Sequence, residues 1–156
     1  MVVAIDFDGT LVSQARAYDD VESPLIFLPG AKRGVLSLKK AGHTLLLWSA
    51  RASPALLVDP YLDPLVRAGI RSVDLERWEG MLGVHRARYV QMVEFVSAEL
   101  PGAFDAIDDG AAGKPPGVDM FIDDRVLRLG QGTGGFSWDH VAAMFGEPTY
   151  DLEETG

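Results

Sequence analysis

The chain has 156 residues, a net charge of −9 with its histidines neutral, and no cysteine. That length holds one domain, and 47% apolar side chains suffice to bury a core, which excludes intrinsic disorder and collagen-like repeats. Without cysteine there are no disulfides, thiolate nucleophiles or thiolate zinc sites, so chemistry falls to oxygen and nitrogen groups. In chain order, residues 2–7 (Val-Val-Ala-Ile-Asp-Phe) form a β-branched run ending at acids and Gly9, the pattern of a strand buried on both faces. Residues 11–28 show no clear period. Pro29-Gly30 opens a predicted helix over 31–41, with Val35 and Leu38 on one face and Gly42 as its stop. Residues 44–48 (Thr-Leu-Leu-Leu-Trp) read as a second strand.

The pattern is weakest over 52–84, which reads as an insertion: one helix around 61–68, then irregular chain carrying Arg71, Arg77 and Trp78. From 85 to 100, Tyr89, Met92, Val93, Val96 and Leu100 recur at helical spacing until Pro101-Gly102 ends the run. Residues 103–107 and 118–122 are the third and fourth strand candidates, and Ser137 caps a short helix through Phe145. Strands alternating with helices predict an α/β fold: a three-layer, Rossmann-like sandwich with a mainly parallel central sheet, forming a single domain over 1–156.

In such a sheet, ligands collect beyond the carboxyl ends of the strands. Asp6 and Asp8 end the first strand, Ser49 the second, and Asp123 with Asp124 the fourth. Asp6 and Asp8 are two apart, so on extended chain both project to one face, and Gly9 then lets the backbone turn sharply. Two like charges on one face favour a divalent cation, and an oxygen-rich site without His or Cys suits Mg²⁺; Asp123 and Asp124 can complete it. The plainer alternative is a turn in which Asp8 bonds to its own backbone.

Asp6-Phe7-Asp8-Gly9-Thr10 resembles the first signature of the haloacid dehalogenase-like (HAD) superfamily of aspartate-nucleophile phosphatases. Trp48-Ser49-Ala50-Arg51 resembles its second, Lys114-Pro115 its third, and Phe121-Ile122-Asp123-Asp124-Arg125 its fourth, all in order over residues 6–125. The resemblance implies a HAD-type sandwich in which Asp6 attacks phosphorus and becomes an aspartyl phosphate. Asp8 would then serve as general acid and later general base. It further implies Mg²⁺ on the Asp6 side chain, the Asp8 carbonyl and Asp124, with Asp123 acting through water or behind them. Ser49 and Lys114 would hold phosphoryl oxygens, Lys114 being the one lysine in the second half of the chain. Arg51 and Arg125 either grip substrate or pair with nearby acids, the second being favoured for Arg125.

Two other motifs imitate functional ones. Ile107-Asp108-Asp109-Gly110 mimics the fourth signature but precedes Lys114, and its ending reads as a turn. Gly130-x-Gly132-x-x-Gly135 matches a dinucleotide fingerprint by letter, yet follows no strand directly and opens no long helix, so it reads as a loop. There is no P-loop motif, and His43, His85 and His140 lack metal-like spacing.

The expected activity is Mg²⁺-dependent hydrolysis of a small or exposed phosphomonoester. The lengths between motifs leave no room for the family's large caps, so the enzyme reads as capless, with a site open to bulky phosphates unless residues 52–84 or a partner subunit in a homo-oligomer cover it. Ser137-Trp138-Asp139-His140 is also similar to a segment of deoxyribonucleotidases, which offers nucleoside monophosphates as an alternative substrate. A HAD-fold binding protein without catalysis is the alternative from another class. Excess acid argues against nucleic acid as a partner. The start lacks a basic signal-type segment and no apolar run approaches the roughly 18 residues of a membrane span, so a cytoplasmic, membrane-free setting is expected.

Overall fold

Four short strands, β1 (Val2–Ile5), β2 (Thr44–Leu47), β3 (Ala106–Ile107) and β4 (Met120–Ile122), pair in the order β3-β2-β1-β4, every neighbour parallel. The computed structural model describes residues 1–14, 17–52, 59–62, 64–110, 117–124 and 137–145. β1 occupies the interior of the sheet because it is apolar on both faces: Val3, Ala4 and Ile5 are each at most 1% exposed. Around the sheet lie α1 (Ala31–Lys40), α2 (Pro64–Arg67), α3 (Leu75–Glu99) and α4 (Trp138–Met144), giving the Rossmann-like three-layer architecture that the alternation predicts. No helix among the described residues is long and apolar enough to cross a membrane.

Helical spacing sets what each helix buries. α1 turns Ala31, Val35 and Leu38 inward, α3 turns Met92 and Val96, and α4 turns Trp138 and Val141. Phe7 carries the line of β1 into the same core, edge-on to Phe95 at 6.1 Å, and Phe95 packs against Phe27 at 4.8 Å. Those rings fasten the aperiodic stretch after β1 to α3. A bridge between Val12 and Phe27, with the Leu28 amide donating to the Leu11 carbonyl, closes that stretch on itself.

Several elements differ from their sequence-based bounds, and three of the shifts have visible causes. β3 starts three residues later than expected because Asp105 takes the Leu45 amide on its side chain (2.8 Å) and Lys39 Nζ on its other oxygen (2.6 Å). β4 starts two residues late for the same reason: Asp119 Oδ2 accepts the Val2 amide at 2.7 Å. α3 begins ten residues before His85, so Arg77 and Trp78 are helical rather than irregular. Asp74 caps it through the Arg77 amide at 3.0 Å, but no residue from 75 to 84 is fully buried, so no apolar stripe announces the helix there.

Candidate active site

The chain runs from β1 to β2 on one side of β1 and returns as β4 on the other, so the carboxyl ends of β1 and β4 flank a crevice where connections diverge. Asp6 follows β1 and Asp123-Asp124 follow β4, and the Asp6 amide donating to the Ile122 carbonyl (2.9 Å) holds these two ends together. Asp6, Asp123 and Asp124 each offer a carboxylate oxygen, and the three atoms lie within 4.8 Å of one another. Two oxygens bound to one Mg²⁺ stand at most about 4.2 Å apart, so small side-chain rotations bring the set to bonding distance, and an all-carboxylate donor set suits a hard cation.

The electrostatics point the same way. Burial is the largest influence on Asp6, opposed by a hydrogen bond from the Phe7 amide; the negative fields of Asp123, Asp8 and Asp124 add to burial, and its pKa is pushed up to about 7. Positive charge placed in this cluster would relieve both burial and repulsion.

Asp8 leaves that cluster and turns to Arg51. Arg51 Nε and Nη2 donate to its two carboxylate oxygens at 2.7 and 2.6 Å, a bidentate fork, and Arg88 Nη2 lies 3.5 Å from Oδ2. Arg51 is 2% exposed, lies 4.8 Å over the Phe7 ring, and donates through Nη1 to the Arg88 carbonyl at 2.7 Å. Of the two roles open to Arg51, the structure therefore displays the ion pair with an acid. Replacing it with methionine would take the fork from the Asp8 carboxylate and leave it only the more distant Arg88, and a loss of about 2 kcal/mol in urea denaturation is expected. A loss under about 1 kcal/mol would mean that the fork holds nothing in place.

The Asp8 carbonyl, which the resemblance assigns to the metal, accepts Gln14 Nε2 at 2.6 Å, leaving one lone pair for another partner. Gly9, at φ +84°, allows the close turn: a side chain there would meet Gln14 and, at 3.1 Å, the Asp124 carboxyl carbon.

Thr10 ties the two acidic ends together. Its hydroxyl accepts the Asp124 amide (3.0 Å) and faces Asp6 Oδ2 (3.5 Å), while its carbonyl accepts Trp138 Nε1 at 2.7 Å. Trp138 is buried, and its six-membered ring packs against Gly34 of α1.

Ser49 is buried at the end of β2, its Oγ accepting the Arg51 amide at 3.3 Å in the turn that opens Ala50–Ala52. Lys114, Arg125 and the glycines at 130, 132 and 135 lie outside the described residues. Asp108 accepts the Gly110 amide at 2.9 Å, the turn expected for the imitation motif, and neither it nor Asp109 joins the acidic cluster.

Sequence reasoning missed Thr10, Arg88 and Trp138 as supports of the site. A signal for Arg88 existed: positions 85, 88, 92 and 96 share one face of a helix, and a guanidinium on a buried stripe needs an acid. Its partner is Asp8. On the neighbouring turn, Tyr18 hydroxyl and His85 Nδ1 are 2.6 Å apart, and burial with the positive fields of Arg88 and Arg51 lowers the His85 pKa.

No protein-family model matches the chain, and no curated protein matches it. Among solved structures, a conserved protein coded by a locus of Bacteroides thetaiotaomicron is similar at 22% identity, covering 94% of this chain and 89% of that one, with a TM-score of 0.42. So loose a likeness says nothing about activity.

Proposed function

We propose that this protein is a Mg²⁺-dependent phosphomonoester hydrolase that works through an aspartyl phosphate on Asp6. The observation that carries this reading is the convergence of Asp6, Asp123 and Asp124 from the ends of two adjacent parallel strands. Asp6, Asp123 and Asp124 would hold the ion, which when bound supplies the positive charge that lets a carboxylate approach an anionic phosphate.

The chain's own groups do the rest. An Asp6 oxygen attacks phosphorus, the bond from phosphorus to the ester oxygen breaks, and Asp8 gives its proton to the departing oxygen. Asp8 then takes a proton from water, whose oxygen displaces Asp6, releasing inorganic phosphate and restoring both carboxyl groups. In the first half Asp8 must turn one oxygen away from Arg51, and its side chain, 23% exposed, has room to do so. Ser49 would hydrogen-bond a phosphoryl oxygen, and Lys114 would offset charge on the equatorial oxygens.

The resemblance of residues 137–140 to nucleotidases gains no weight from Trp138, whose indole is buried against Gly34 and Thr10 as part of the packing.

An aryl phosphate tests the reading. Hydrolysis is expected with Mg²⁺ and not with EDTA; Asp124→Ala is expected to lower turnover at least about 100-fold while Asp109→Ala stays within about twofold. Turnover indifferent to EDTA would sink the mechanism. The reverse pattern of mutants would move the metal to the other acidic pair.

A further inference from the structure

We propose that Arg88 is a positioning residue for the acid–base step: it keeps Asp8 Oδ2 in place while Oδ1 leaves Arg51 and turns to the departing oxygen. This rests on the hydrolase reading and deepens it, because a carboxyl group that gives a proton must present one oxygen in one direction. In the bidentate fork the two oxygens of Asp8 are held nearly alike, at 2.6 and 2.7 Å from Arg51. Arg88 makes them different.

Oδ1 accepts one guanidinium N–H, from Arg51 Nη2. Oδ2 accepts Arg51 Nε and has a second, longer contact from Arg88 Nη2 at 3.5 Å. Turning Oδ2 toward substrate would give up both of its cationic donors, whereas turning Oδ1 gives up one. The carboxylate therefore pivots on Oδ2, and the 3.5 Å contact, long for a charged pair, can shorten as it does. The proton on Oδ1 then passes to the ester oxygen as its bond to phosphorus breaks, and Oδ1 takes a proton from the attacking water in the second half.

Arg88 is built as a fixed post. Its side chain is 12% exposed, Nη1 donates to the Tyr18 carbonyl at 2.8 Å, and the guanidinium stacks on the Tyr18 ring at 4.4 Å. One turn earlier on α3, His85 holds the Tyr18 hydroxyl, and one turn later Gln91 Nε2 donates to the Val21 carbonyl at 2.9 Å. Three residues at helical spacing thus pin the chain that follows β1, and Arg88 carries that rigidity on to Asp8. Its backbone carbonyl also accepts Arg51 Nη1, which sets the two guanidiniums in register. An arginine that only braced Tyr18 would need Nη1 and the ring; the approach of Nη2 to Asp8 is the part that bracing leaves unexplained.

The test is the dependence on leaving group. Dinitrophenol departs as a stable anion without a proton, whereas ethanol departs only when protonated. With the full chain and Mg²⁺, Arg88→Met is expected to lower kcat/KM for ethyl phosphate about 30-fold, mainly through kcat, and for dinitrophenyl phosphate less than about threefold. Arg88→Lys keeps the charge but has no fork to hold Tyr18 and Asp8 at once, so the same selective loss, about tenfold, is expected of it and decides the matter if the methionine variant does not fold. Equal loss with both esters would reveal a bracing role alone and overturn the proposal while sparing the hydrolase, as would no loss with either. A wild type that hydrolyses neither ester overturns the hydrolase reading itself and takes this role with it.

Discussion

Asp6→Asn is expected to abolish turnover and, in the same protein, to stabilise the metal-free fold. The amide is no nucleophile toward phosphorus, so hydrolysis should fall by more than about 10³-fold. Stability moves the other way because the native state keeps a carboxyl group whose pKa is about 7, against an ordinary value of 3.8. A folded pKa above the unfolded one means that the native state binds more protons between those values, so stability is full below about pH 4 and is lost progressively as the pH rises through 7. The loss at pH 8 is on the order of 4 kcal/mol, and asparagine, which cannot ionise, escapes it. Thermal unfolding of the metal-free wild type and variant from pH 4 to pH 8 measures this directly. The two curves should diverge upward in pH, with Mg²⁺ raising the wild type far more than the variant. Parallel curves would show that Asp6 feels neither burial nor its acidic neighbours.

Gly34→Ala should destabilise the fold by about 2 kcal/mol and lower turnover, although alanine is the better helix former by about 1 kcal/mol. A Cβ at position 34 would stand 2.2 Å from Trp138 Cε3 and 2.7 Å from Cζ3, a clash with a rigid ring. The indole cannot retreat without lengthening its 2.7 Å hydrogen bond to the Thr10 carbonyl, and Thr10 in turn holds the Asp124 amide and faces Asp6. Overpacking therefore outweighs propensity, and the disturbance reaches the acidic cluster through a single residue. Gly83→Ala is the control: nothing lies within 4 Å of its Cβ, so the same substitution in α3 should stabilise by about 0.5–1 kcal/mol in urea denaturation. Equal effects at the two positions would mean that the Trp138 contact constrains nothing.

The alternation of apolar runs made the parallel sheet legible, because a strand such as Val2–Ile5, apolar on both faces, has no other stable setting. The acidic ends of β1 and β4 were legible for the same reason: charges directly after buried strands mark the rim of the sheet. The route of Asp8 was not. Whether a carboxylate two residues past Asp6 faces the metal cluster or a guanidinium depends on Arg51 and Arg88, 43 and 80 residues away, and nothing local encodes that choice. The start of α3 was hidden because its first turns bury no complete side chain. Asp105 and Asp119 shortened β3 and β4 by tertiary hydrogen bonds that propensity does not see.

The brevity of those two outer strands bears on self-association. Among the described residues β3 offers two residues of ladder and β4 three, too little backbone for a second copy to extend the sheet by pairing along its margin. Among the described residues, the surfaces left for a dimer are side chains of helices and loops. Swapping surface residues there could then dissolve the dimer while sparing the catalytic rim.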